Sequence, residues 1–153
     1  MREITESDFA PLDGFPLLWR WTKPSHAMLP SSVLATIRPL IAATAAELAS
    51  EATARCAERQ VAEWELAISA EGDAAAQARE RLEALGIDPD ARIVVSWSRD
   101  MAVVTLWRTF TAHWEDFCYP SSDDVSVWAP GAEWTLCYRH FEVFEFSSSH
   151  RAV

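Results

Sequence analysis

His113, Glu115 and Asp116 crowd one short stretch of the chain, and His140 and Glu142 another. On a helix His113 and Asp116 share a face, and on a strand His140 and Glu142 share a side. Two such pairs could offer four nitrogen and oxygen ligands to one ion. Neither spacing is a recognised metal motif, so the plainer reading is solvated side chains. Cys118 or Cys137 with His140 has the residue types of a thiol nucleophile and its base. That chemistry also needs a depressed thiol pKa and an oxyanion hole, which no spacing here supplies. The adjacent Asp123-Asp124 reads more readily as a turn and cap than as an acid–base pair. Four Gly, none clustered, leave no phosphate loop, dinucleotide fingerprint or Gly-x-Ser-x-Gly elbow. The expectation is therefore no catalytic residue, no cofactor and no metal.

A different chemistry is better supported. Residues 115–145 hold seven acids (Glu115, Asp116, Asp123, Asp124, Glu133, Glu142, Glu145) against one base, Arg139. Tyr119 lies beside Pro120, and Trp128 falls on the opposite strand face from Val125 and Val127. Both are expected as exposed rings. Acidic groups around an aromatic anchor suit a basic protein partner, charge raising the on-rate and the ring supplying affinity. Glu115, Asp116, Tyr119, Asp123, Asp124, Trp128 and Glu133 are the expected partner-binding residues.

The chain has 153 residues, 50% hydrophobic and 24% charged, which suits one domain over 1–153 and argues against disorder. A net charge of −10 repels a phosphate backbone, so no nucleic-acid partner is expected. No apolar leader or membrane-spanning run is visible. The three Cys are an odd number without a Cys-x-x-Cys pair. Reduced thiols in a cytoplasmic protein are the economical reading, with a Cys118–Cys137 disulfide as the alternative.

The elements that would position these groups follow from pattern. Residues 1–30 carry four Pro and read as a segment packed over the domain, with a short strand at 17–22. Ser31 and Ser32 precede helical periodicity at Leu34, Ile37, Ile41, Ala45 and Leu48, in which Pro39 imposes a kink or divides a short helix from a longer one. Val61, Trp64 and Ile68 continue a helical face. Asp73 caps a last helix that Gly86 ends. Strands are expected at 92–98 and 101–105. A helix capped by Thr105 then carries Trp107, Phe110, Trp114 and Phe117. Strands at 125–129, 133–139 and 141–146 follow, the first two joined by a type II turn at Pro130-Gly131, with one face of 134–139 buried. The fold class is α+β: N-terminal helices over about 31–86, then a small antiparallel sheet with one aromatic helix over about 105–117.

The pattern Trp107-x-x-Phe110-x-x-x-Trp114-x-Asp116-Phe117-x-Tyr119-Pro120-Ser-Ser-Asp123-Asp124, followed by Trp134-x-Leu136-x-Tyr138-x-His140 and Phe144-x-Phe146, resembles small uncharacterised bacterial proteins of immunity-protein type. The resemblance spans 97–146. It implies a non-enzymatic inhibitor that occludes a basic toxin domain. The alternatives are an enzyme using His113, Asp116, His140 or Cys118, and a homo-oligomer, a dimer for instance, paired through the Ala-rich helices at 40–71.

Overall fold

The computed structural model describes residues 2–58, 64–67 and 73–148. Its architecture is α+β. Strands β1 (Arg38–Pro39), β2 (Trp64–Ala67), β3 (Arg92–Ser98), β4 (Met101–Leu106), β5 (Val125–Trp128), β6 (Trp134–Arg139) and β7 (Val143–Ser148) form one sheet in the order β1-β4-β3-β5-β6-β7-β2. Every pairing is antiparallel.

The sheet is covered on both faces. Helix α3 (Ala42–Glu58) sets Ala45, Leu48 and Ala52 on one face, against Val94, Ala102, Val104 and Trp128. The opposite face, bearing Ile93, Val95, Val103, Val127, Leu136 and Tyr138, packs on the N-terminal segment, α4 (Ala74–Glu83), α5 (Trp107–Ala112) and α6 (Trp114–Phe117). Burial on both sides explains the unbroken apolar run Ile93-Val94-Val95. It also corrects the one-sided reading of 134–139: Thr135 and Cys137 are buried along with Leu136 and Tyr138.

Four other expectations change. Residues 19–22 form a short helix, α1, which turns both Arg20 and Trp21 inward, where a strand would have sent them to opposite sides. Of the two alternatives at Pro39 the second holds, a short helix α2 (Ser31–Leu34) divided from α3; what the pattern does not suggest is that Arg38–Pro39 pairs with Val104 and Val103 at the sheet edge. Proline has no N–H to give a ladder, so an edge suits it. Ile37 and Leu40, three apart in one expected helix, consequently enter the cores on opposite sheet faces. Trp64 lies in β2 opposite Phe146, because pairing with β7 outweighs helical propensity there; Val61 and Ile68 fall outside the described residues. Thr105 lies in β4 opposite Ile93, and Leu106 takes the cap position instead. The aromatic helix breaks at His113 (φ −126°, ψ 25°), yet all four of its rings remain buried.

Among the described residues Gly86, Ser121, Gly131 and Glu142 lie in the left-handed region, and the turns at two of these bear on the sheet. The Ala132 N–H donates to the Ala129 carbonyl at 3.0 Å across Pro130-Gly131, and Gly131 has φ +83°, as a type II turn requires. The β6–β7 turn, His140-Phe141-Glu142, places Glu142 at φ +64°. A Cβ on Gly131 would meet no neighbour, so its φ alone sets the cost of replacement. Gly131→Ala is expected to cost about 1 kcal/mol in urea denaturation, while Glu142→Gly relieves strain and leaves stability equal or higher.

The N-terminal segment is tied down by Asp8. Its carboxylate accepts from Arg2 at 2.7 Å, the Thr5 N–H at 2.8 Å and the Thr44 hydroxyl at 2.7 Å. Those donors, Arg2 first, hold the Asp8 carboxyl far below the usual carboxylate range. A depressed folded-state pKa means that the unfolded chain binds the proton first, so stability is full above the unfolded value and falls with acidification. Thermal melts are expected to lose midpoint as pH drops below about 4, and Asp8→Asn is expected to flatten that acid limb.

Candidate functional site

The loop from Tyr119 to Asp124, between α6 and β5, begins from a fixed helix end. The last carbonyls of a helix lack internal partners. Here the Trp21 indole N–H donates to the Asp116 carbonyl at 3.0 Å, and that of Trp97 donates to the Phe117 carbonyl at 2.7 Å. The rings of Phe15, Trp21, Trp97 and Phe117 stack around these bonds, with centroids 5.3–6.1 Å apart.

Arg20 then holds the loop itself. It donates to both oxygens of Asp123, at 2.6 and 3.1 Å, and both side chains are buried. The Tyr119 N–H also donates to Asp123, at 2.9 Å, and the guanidinium lies 3.9 Å from the centre of the Tyr119 ring. Bidentate geometry, a backbone donor and a stacked ring suit arginine better than lysine. Tyr119 is half-buried and packs with Trp19 and His26, rings 4.6–6.2 Å apart. Partial burial pushes its phenol pKa up.

The far side of the loop meets the β6–β7 turn. The Ser121 N–H (residue φ +69°) donates to the His140 carbonyl at 2.8 Å. Asp124 accepts from the His140 N–H at 3.0 Å and faces its Nδ1 at 3.1 Å, and the backbone donor holds the Asp124 carboxyl below its ordinary range. Phe141, next along, is 60% exposed. Its ring stands edge-on to His140. The loop thus joins two groups, Trp19, His26 and Tyr119 at its start and Asp124, His140 and Phe141 at its end, which together make the candidate face.

The expected site residues separate. Tyr119 and Asp124 lie on this face. Asp116, half-buried on α6, is close by, its carboxyl pushed up by burial despite His113. Glu115 is exposed on α6 with Arg79 at 4.0 Å. Two expectations are corrected. Trp128 is 1% exposed, because α3 covers the sheet face to which it points. Asp123 is internal, its charge compensated by Arg20. Glu133 is exposed but lies in the β5–β6 turn, a strand's length from Asp124, so the acids do not form one continuous surface.

The constellations weighed for catalysis also come apart. His113 faces Asp116 at 4.0 Å, whereas His140 belongs to Asp124. Among the described residues no group of three or more His, Cys, Asp or Glu is placed to hold a metal ion. Cys118 and Cys137 are buried free thiols, and burial drives the Cys118 pKa well up, away from a reactive thiolate. Among those residues, too, no helix is long and apolar enough to cross a membrane.

Sequence reasoning missed Arg20, Trp19, His26 and Phe141. A lone Arg between two Trp was the available signal for Arg20; Phe141 had been assigned to a strand when it occupies a turn. No family model, curated protein or solved structure matches this chain. Breaking a buried ion pair strands the remaining charge, so Asp123→Ala is expected to cost about 3–5 kcal/mol in urea denaturation. The double variant R20M/D123L should recover part of that loss.

Proposed function

We propose that this chain is a non-enzymatic binding protein, an immunity-type inhibitor that covers the active cleft of a basic toxin domain. The observation that carries this reading is the exposed Phe141 ring at a tight turn, beside Asp124 and Glu142 and across the Tyr119–Asp124 loop from Trp19, His26 and Tyr119. A few aromatic anchors set in a preformed backbone supply most of the affinity in protein interfaces. The acids beside them, within a chain of net charge −10, steer a basic partner toward that face. Lys23, in the loop after α1, and Arg139 and Arg99, near Asp124, are countervailing cations among the described residues.

One observation favours a second reading. The Asp124 carboxylate holds His140 at Nδ1, the arrangement in which a histidine leaves Nε2 free to act as a base. The thiol that such a base would serve, Cys118, is sequestered in the core.

The test is co-expression with the basic protein encoded beside this gene, followed by size-exclusion chromatography and association kinetics. A stable complex and protection of the host are expected. Phe141→Ala and Tyr119→Ala should each weaken binding by about tenfold or more, and Asp124→Arg should slow association and flatten its salt dependence. Neither complex nor protection would overturn the proposal. Loss of function in His140→Ala with binding intact would favour catalysis.

A further inference from the structure

A cleft of about 530 Å³ lies between α3, the β3–β4 turn and the start of β5. The helix contributes only small side chains to it, Ala49, Ser50, Ala52 and Thr53, which leaves the space unfilled. Across from them stand Ser96, Ser98, Arg99, Asp124 and Ser126.

The hydrogen-bond inventory of these walls is uneven. A serine or threonine hydroxyl has one hydrogen to give and lone pairs to receive with. Ser50 donates its hydrogen to the Ala46 carbonyl at 3.2 Å, and Thr53 donates to that of Ala49 at 2.9 Å. Ser98 donates to the Asp100 carboxylate at 3.0 Å, and Ser96 reaches the Ser98 carbonyl at 3.4 Å. These four oxygens can therefore only accept from a guest. Asp124 adds a carboxylate to the same set of acceptors. The Ser126 hydroxyl and all the N–H groups of Arg99 have no partner among the described residues. The arginines at positions 2, 20, 38, 79, 108 and 139 each sit within an ion pair. Arg99, like Arg92, stands in no ion pair among the described residues, and of these two it is Arg99 that lines the cleft.

A guanidinium without an ion-pair partner among the described residues, beside a hydroxyl donor and facing a row of acceptors, complements a molecule with one anionic group and several hydroxyls. We propose that this cleft is a binding site for a small polyhydroxylated anion, a sugar phosphate or sugar acid, with Arg99 on the anionic group and the acceptor wall on the hydroxyls. The volume lies in the range of small-ligand sites. A guanidinium forks onto phosphate or carboxylate through paired N–H donors, and a lone one matches a single anionic group rather than a polyanionic strand. The site is independent of the protein-binding reading, although Asp124 borders both.

Isothermal titration of the full chain with ribose 5-phosphate, gluconate, ribose and inorganic phosphate tests it. Ribose 5-phosphate or gluconate is expected to bind with Kd below about 1 mM, and ribose and phosphate alone about tenfold more weakly or worse. Which of the two anions binds tells phosphate from carboxylate. Arg99→Ala, at an exposed turn position, should keep its melting temperature and lose about tenfold or more in affinity. Three results would each overturn the proposal: no binding of either anion at about 10 mM, undiminished binding by the Arg99→Ala variant, or inorganic phosphate binding as tightly as ribose 5-phosphate.

Discussion

A guanidinium and a carboxylate, 103 residues apart in sequence, meet inside this protein and cannot be separated cheaply. Transfer of either charge from water into the interior is costly, and their mutual hydrogen bonds, with the Tyr119 N–H on Asp123 and the Tyr119 ring on Arg20, offset it. Arg20 and Asp123 therefore couple the N-terminal segment to the loop that precedes β5. The Arg20 Nε has no partner among the described residues, so within them the pair is not fully satisfied. Its role is consequently better described as specification, the choice of one loop arrangement over others, than as a large net gain in stability.

Around that pair the aromatic side chains form a continuous layer. Trp21 and Trp97 bury their rings and place their N–H groups on the terminal carbonyls of α6, so they serve as core and as cap at once. Trp114 likewise buries its ring and places its N–H on the Ala75 carbonyl in the first turn of α4, at 3.1 Å, which ties that helix to the aromatic layer without capping it. Aromatic residues with a polar edge suit this double task, because the ring is satisfied by packing and the N–H by a helix end. The opposite face of the sheet needs no such layer. Ala45, Leu48 and Ala52 of α3 lie close on Val94 and Val104, whereas Ala42, Ala43 and Ala54 of the same helix are exposed.

The proposed partner surface and the proposed ligand cleft share a border at Asp124 but differ in chemistry. One is a set of rings and acids on turns supported from below by ion pairing. The other is a recess between helix and sheet lined by Arg99, which has no ion-pair partner among the described residues. Loops held by a scaffold of this kind can vary in their exposed residues without disturbing the core, which is where binding specificity commonly resides.

Local pattern determined a good deal by itself: the α+β class, strands β3 to β6 nearly to the residue, the type II turn at Pro130-Gly131, and the inward aromatic stripe of 107–117. Each rests on short-range physics, such as alternation, turn stereochemistry or helical period. Of the proposed partner face, Tyr119 and Asp124 are residues that composition alone singles out. The burial of Trp128 and Asp123 was not legible, because it depends on α3 and Arg20, far away in sequence. Trp64 reads as helical until β7 offers it a ladder, and Phe141 is exposed only because Glu142 closes a tight turn. Long-range pairing and the covering of a second sheet face leave no mark in a window of a few residues. Only the tertiary structure could decide which rings and charges remain for a partner.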